Sequence, residues 1–316
     1  KNEAIMAHLS RYISDAPEAA RPRPMAASPL ATYINCPVQF YFKHVANLRE
    51  LETVDEDINP IIFGNILHKT IELLYKPYKD TLLDAKLIKD LLKDDKKIER
   101  NLKQAFKDES FPYPKEGKNL LIKEVIKQLV RKILENDQLD APFRLVGIES
   151  HEYSATITIN NNKQIALMGV IDRVDEVPLE DGTPAIRIID YKTGKIKLND
   201  TAAALKAEPE MYMQRYFDDP MYKAGFQAYF YAYLYWCEQN KDPDIKVLVG
   251  VYALREINSG IRYLRKKAII DATILQAFET KLQNLLNDLF DKNLPFVQTE
   301  QPERYMYSPY KDLVDF

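Results

Sequence analysis

The chain has 316 residues, of which 46% are hydrophobic and 29% charged, and its formal net charge is -3. It can bury a sizeable core as one large domain or two small ones, and its near-neutral balance excludes a bulk polycation, so any nucleic-acid contact must rest on a local basic surface. Two cysteines, Cys36 and Cys237, argue against a disulfide framework and for a reducing compartment, and no apolar run approaches the ~20 residues of a membrane span.

In chain order, KNEAIMAHLSRYI reads as a helix and not as a signal peptide. The missing initiator Met leads us to expect a segment of a longer protein. The stretch PEAARPRPMAASP, rich in Pro and Ala, reads as a linker. Ser28 with Pro29 is expected to start a helix through LATYINC, and VQFYFKHVANL to form a second short helix after Cys36-Pro37. Residues 55–61 read as a loop. Beyond them Ile62, Ile66, Leu67, Ile71 and Leu74 form an apolar stripe at helical spacing. Residues 81–140 continue as helix, broken at FPYPKEG.

The period changes after Pro142. FRLVGIESHEYSATITI, QIALMGVIDRVDEV and AIRIIDYKT alternate as strands, separated by NNNK and by LEDGTP with its D-G step, which predicts a three-stranded antiparallel meander. Residues 200–222 read as irregular. AGFQAYFYAYLYWCEQN predicts an apolar helix, IKVLVGVYALRE a fourth strand and TILQAFETKLQNLLNDLF an amphipathic helix.

Two segments carry charge where apolar strand residues are expected: GVIDRVDEV at 169–177 and RIIDYKTGK at 187–195. Asp190 and Lys192 are two apart, so on a strand they share a face. The D-G turn makes the neighbouring strand the one that carries Asp172. Two carboxylates converging on a β-surface repel unless a cation lies between them. Hard oxygen donors select Mg²⁺, with Mn²⁺ as a substitute, and a lysine beside them is suited to steady phosphate charge and orient an attacking water. The competing reading is a set of ordinary strand-end ion pairs, Asp172 with Arg173 and Asp190 with Lys192.

The wider pattern adds G-x₃-H at Gly64 and His68, and Q-x₃-Y at Gln227 and Tyr231. With GxIDRxD and IIDYKTG it resembles the RecB-type branch of the PD-(D/E)XK nuclease superfamily. The opening SPLATYINCPVQFYFKHV resembles the first segment of AddB-like helicase–nuclease subunits. The resemblance implies an α/β fold, restriction-endonuclease-like, with a mixed central sheet flanked by helices and an additional helical region. Residues 1–27 are then expected to be a helix and linker from an upstream region. Residues 28–316 are the nuclease domain, with a helical part at about 62–140 and a catalytic core at about 141–316.

By the same resemblance His68, Asp172 and Asp190 bind metal, with Glu149 as the best match for a first-strand glutamate and Glu152 as its rival on the opposite strand face. Lys192 is the catalytic lysine, and Gln227 and Tyr231 point toward the site and the DNA backbone. Gly64 is expected to let its helix approach closely. Arg173, Thr193 and Lys195 are candidate phosphate contacts, although charged strand-end residues usually face water. His68, Glu149, Gln227 and Tyr231 each also have a bland reading, as a partly buried histidine, an exposed acid and packing residues.

The implied function is Mg²⁺-dependent DNA cleavage, as the exonuclease part of a bacterial, cytoplasmic helicase–nuclease acting on DNA ends in double-strand break repair. Single-stranded DNA or DNA ends and a helicase subunit or upstream helicase-like region are the expected partners, with no membrane. The alternative is a non-catalytic DNA-binding or scaffolding module on a degenerate nuclease fold. Many relatives in this branch bind an iron–sulfur cluster through four cysteines. Here Cys36 is kept, but Tyr305, Ser308 and Val314 stand at the other three positions. A cluster needs about four thiolates, so none is expected, and the tail is expected to pack across the N-terminal helix instead.

Overall fold

Helix α1 (Glu3–Ser10) begins where the Asn2 side chain accepts from the Ile5 N–H, an N-cap that satisfies an otherwise orphaned donor. The computed structural model describes residues 1–14, 23–48, 57–149, 152–198, 201–306 and 308–313. Helix α2 (Ala27–Asn35) starts after Ala26 and has no side-chain cap, so Ser28 lies inside its first turn instead of capping it. Helix α3 (Pro37–Phe40) runs directly into a π-helical turn over Tyr41–Val45. Of the expected linker, residues 15–22 lie outside the described residues. The flanking parts belong to the core: Leu9, Tyr12, Ile13, Met25 and Ala27 are buried in the main apolar cluster. Residues 27 and 28 therefore mark no boundary between separate cores.

Helix α4 (Pro60–Tyr75) is started by Asn59, whose side chain accepts from the Ile61 and Ile62 N–H groups, with Pro60 at its first position. The short strand β1 (Leu82–Leu83) follows, then α5 (Ala85–Lys93), α6 (Asp95–Asp108) and α7 (Gly117–Asp140). Apolar faces of α4, α6 and α7 close on one another through Ile66, Leu102, Phe106, Ile126 and Val130, all essentially without exposure. This is the expected helical region.

The expected meander is corrected. Each of its first two strands breaks into two. Strands β2 (Phe143–Ile148) and β3 (Glu152–Thr158) are separate, as are β4 (Gln164–Val170) and β5 (Arg173–Pro178). The halves β3 and β4 pair as a two-stranded hairpin, to whose β4 edge Ile13 and Met25 add isolated bridges at Ile165 and Leu167. The halves β2 and β5 join β6 (Pro184–Lys192) in a six-stranded sheet of order β1-β2-β5-β6-β7-β8. The break falls where β4 takes different partners from β5, which local alternation does not reveal.

Residues 200–222, read as irregular, contain α8 (Ala202–Lys206) and α9 (Pro209–Asp218), with Tyr212, Met213 and Tyr216 forming the buried face of α9. Together with α10 (Lys223–Glu238) they supply the crossover that lets β7 (Val247–Ala253) lie parallel to β6. Strand β8 (Ile261–Tyr263) pairs antiparallel at the far edge, and α11 (Ala272–Phe290) packs on α9 and α10. The sheet is thus mixed and flanked by helices, as expected. Side chains of β6 and β7 alternate between the two layers: Ile188, Val249 and Val251 meet the α10 cluster, whereas Ile189, Tyr191 and Tyr252 meet the α4 and α7 cluster.

The C-terminal tail packs on the N-terminal helices. Asn35 donates to the Arg304 carbonyl at 2.9 Å, the Tyr310 hydroxyl donates to the Leu48 carbonyl at 2.8 Å, and the rings of Phe42 and Tyr310 lie 5.6 Å apart. Cys36 and Ser308 are both buried there. Val314 lies outside the described residues. Among the described residues, no helix is long and apolar enough to cross a membrane.

Candidate active site

The site forms at the end of β6, where the breaks in the two long strands and the helices α4 and α10 meet. Arg173 is registered opposite Ile189, so the next step sets Asp172 opposite Asp190. Asp172 lies in the break before β5 and Asp190 within β6, and both are buried, at 8% and 1% exposure. His68 projects from α4. Glu149 follows β2 with φ 35°, a left-handed conformation that costs a non-glycine residue free energy and that clusters at functional sites. Its N–H donates to the Asp172 carbonyl at 3.2 Å, which holds this strained residue beside the break.

His68, Glu149 and Asp172 each offer a donor atom within 4.8 Å of the others, a set able to hold a metal ion. His68 Nδ1 lies 3.1 Å from Glu149 Oε1 and 3.7 Å from Asp172 Oδ2, and Nε2 lies 3.1 Å from the Tyr191 carbonyl. All three partners only accept, so both ring nitrogens carry protons in this arrangement. Burial alone would lower the His68 pKa, but Asp172, Glu149 and Asp190 outweigh it and hold the group up at about 9.

Asp190 lies beside this trio, and its donor atoms are not among those that meet within 4.8 Å. It pairs with Lys192, whose Nζ is 2.9 Å from each carboxylate oxygen and hydrogen-bonded to Oδ1. The ammonium is near Oδ2 without being aligned on it, so that buried oxygen has no hydrogen-bond partner among the described residues. Burial, and then Asp172 against the opposing pull of Lys192, raises Asp190 to about 6. Asp172 is also raised, first by burial. The Lys192 pKa is raised as well: burial would lower it, but Asp190 and Asp172 prevail.

Gln227 and Tyr231 sit one turn apart on α10, and the Gln227 amide donates to the Tyr231 hydroxyl at 2.7 Å. Tyr231 packs over Gly169. A Cβ on that glycine would stand 2.9 Å from Tyr231 Cε1 and 3.1 Å from Leu234 Cδ1, so any side chain there would push α10 off the hairpin. The expected close approach at Gly64 is corrected, because a Cβ there would make only an ordinary 3.8 Å contact with Thr193. Glu152, the rival to Glu149, opens β3 and pairs with Val170 in the hairpin.

A cleft of about 630 Å³ opens over the site, lined by His68, Lys192, Thr193, Lys195, Lys223 and Gln227 among others, with Ile61 and Met221 exposed at its walls. Arg173 is corrected as a phosphate contact: it has no exposure and points to the other face of the sheet, where it binds Asp137 and Asp175. Strand alternation carried that signal, since residues 172 and 173 must face opposite ways. The sequence reading also missed Gly169 and Tyr191. A glycine inside a strand pattern marks close backbone approach and pointed to the first. Nothing in the sequence marks Tyr191, whose part is played by its backbone.

The chain is similar to known proteins over more than half of its length. An ATP-dependent helicase/deoxyribonuclease subunit of Clostridium acetobutylicum is 26% identical over 202 residues, which covers 60% of this chain and 17% of that protein. A protein of the same name from Streptococcus pyogenes serotype M12 is 25% identical over 172 residues, 54% of this chain and 14% of its own length. The matched region is thus about one sixth of the length of these curated relatives. The model of the PD-(D/E)XK nuclease superfamily matches residues 24–305, and the chain therefore belongs to that superfamily.

Proposed function

We propose that the chain is a Mg²⁺-dependent deoxyribonuclease and the nuclease portion of a helicase–nuclease that acts on DNA ends. The observation that carries this reading is the convergence of His68, Glu149 and Asp172 within 4.8 Å, beside a buried Asp190 oxygen that Lys192 approaches as an ion pair but that accepts no hydrogen bond among the described residues. Such a donor set fits a divalent cation: buried acids in excess repel one another, and carboxylate oxygens favour hard ions. When bound, the cation supplies Lewis-acid polarisation of a phosphodiester and a more acidic water.

The chain's own residues supply the rest. The Lys192 side chain is 26% exposed, so its ammonium can donate to a phosphate oxygen while Asp190 anchors it from behind. Gln227 lies on the cleft wall, held by Tyr231, and is placed to hydrogen-bond a nucleic-acid backbone. Lys195 and Lys223 are exposed on the cleft lining and provide the local basic surface that a chain of net charge -3 requires. The names of the relatives support a helicase partner and DNA as substrate. With two cysteines in the chain, we expect no iron–sulfur cluster. We expect a bacterial cytoplasmic setting.

The test incubates wild type and Asp190→Ala with linear and circular, single- and double-stranded DNA in Mg²⁺, Mn²⁺ or EDTA. Wild type should cleave only with a divalent cation, and the variant should lose activity by roughly a thousandfold, the scale of several kcal/mol of lost charge stabilisation. Intact substrates with wild type, or equal cleavage by the variant, would overturn the reading. DNA binding without cleavage would instead establish the non-catalytic module.

A further inference from the structure

Tyr191 belongs to no ligand set, yet its backbone holds two of the residues that do. Its N–H donates to Asp172 Oδ2 at 2.8 Å, and its carbonyl accepts from His68 Nε2 at 3.1 Å. Because Nε2 is committed to that carbonyl, Nδ1 is the ring nitrogen turned toward Glu149 and Asp172. The backbone of one residue thus sets both the carboxylate oxygen and the imidazole edge that face the site.

The Tyr191 side chain leaves the site and enters the opposite layer, where the residue is 2% exposed. Its ring stacks on Tyr252, with centroids 5.5 Å apart and planes 3° from parallel, and meets the His68 ring edge-on at 5.7 Å. Its hydroxyl accepts from Arg173 Nη1 at 3.4 Å. Arg173 and the Tyr252 hydroxyl both donate to Asp137 of α7, at 2.7 and 2.8 Å. A continuous chain of contacts therefore runs from the buried Asp137 of α7 through Tyr191 to Asp172 and His68.

We propose that Tyr191 is a positioning residue for the divalent-cation site: its ring, clamped against Tyr252 and Arg173, fixes the strand segment whose backbone aims Asp172 and His68. This rests on the reading of the site as a metal-dependent nuclease centre. Partners that orient metal ligands from behind typically change metal affinity 10–100-fold when lost. The effect should therefore fall on cation binding beyond any loss of packing.

The test compares full-chain wild type, Tyr191→Leu, Tyr191→Phe and a packing control, Phe106→Leu, from the same apolar cluster. Calorimetric titration with Mn²⁺ in the absence of DNA gives cation affinity, melting in EDTA gives stability, and cleavage against metal concentration gives the activation midpoint. Tyr191→Leu should weaken Mn²⁺ binding and raise the activation midpoint by the same ~10–100-fold. Tyr191→Phe keeps the stack and should stay within about threefold of wild type, the scale of one weak hydrogen bond. Phe106→Leu should melt lower with wild-type Mn²⁺ affinity.

Unchanged affinity in Tyr191→Leu overturns the proposal, as does an equal loss in Tyr191→Phe, or wild type that binds no Mn²⁺. If Tyr191→Leu does not fold, Tyr252→Leu removes the other half of the stack and must show the same loss. Mn²⁺ binding without DNA cleavage by wild type would overturn the nuclease reading and leave the positioning role standing. Cleavage by Tyr191→Leu with an unchanged activation midpoint would overturn the positioning role alone.

Discussion

Two charged clusters lie back to back across β5 and β6, and their formal composition is the same: two cationic side chains against three carboxylates. Beneath the sheet Arg173 and Arg187 face Asp137, Asp175 and Asp140. On its other face, at the end of β6, Lys192 meets Asp190, and His68 reaches in from α4 to meet Glu149 and Asp172. What differs is how fully the acids are satisfied. Asp137 accepts from Arg173, Tyr75 and Tyr252, and Asp175 accepts from the Nε of both arginines and from Arg187 Nη2. The remaining gap there is Arg173 Nη2, in a guanidinium that lies against the rings of Phe143 and Tyr75. In the other cluster Asp190 keeps a buried oxygen that accepts no hydrogen bond among the described residues and has only the ion-pair contact of Lys192. One of its two cations is a histidine, whose charge can be lost. Charge count alone does not separate a structural ion network from a reactive site. Unmet acceptors and a replaceable cation do.

If this distinction holds, removing a member should have opposite effects on the two faces. The largest change is expected beneath the sheet. Arg173→Ala leaves Asp137 and Asp175 buried with fewer donors, and breaking such a network costs about 3–5 kcal/mol. Denaturant unfolding should register it, and a variant as stable as wild type would place Arg173 among dispensable charges.

Above the sheet the sign reverses. Asp190→Asn removes a carboxylate whose pKa burial and Asp172 have raised. A raised acid is one whose ionised form the fold disfavours, so the neutral isostere should stabilise the cation-free protein at pH 8. We expect about 1 kcal/mol, or a melting temperature in EDTA roughly 1–2 °C above wild type, together with loss of cleavage. A lower melting temperature would mean that Asp190 is held as firmly as the acids below.

The sequence made the upper cluster easier to read than the lower one. Asp172, Asp190 and Lys192 lie on adjacent strands joined by a D-G turn, so alternation and one short connection bring them together. The long-range partners of Arg173 carry no such mark. Asp137 is 36 residues earlier, on a helix whose spacing reports burial but not what the buried face meets. The separation of β2 from β3 and of β4 from β5 escaped the same way. It arises because β3 and β4 gain the edge contacts of Ile13 and Met25 while β2 and β5 join the main sheet. Helix α9 was hidden by its own content: its buried tyrosines and flanking acids read as irregular, although Tyr212 and Tyr216 are one turn apart.

The smallest predicted effect is also the most selective between the faces. The folded-state pKa of His68 is raised from 6.5 to about 9 by the carboxylates around it. A base with a raised pKa contributes stability that is fully present below about 6.5 and is lost as pH rises through about 9. Asp190, raised from 3.8 to about 6, acts in the same direction but in a lower window: the folded state gains from its protonation, and that gain disappears between about 3.8 and 6. Of the cationic side chains in the two clusters, His68 is the one whose raised value falls in the range up to about 9, while the arginines beneath the sheet stay charged throughout. In EDTA the melting temperature should therefore fall from pH 6.5 to 9, and His68→Gln should flatten that decline. Arg173→Lys, if it folds, should leave the slope in place, because the lower cluster has no part in it. An unchanged slope in His68→Gln would show that the imidazolium is not what holds the acids together when no divalent cation is bound.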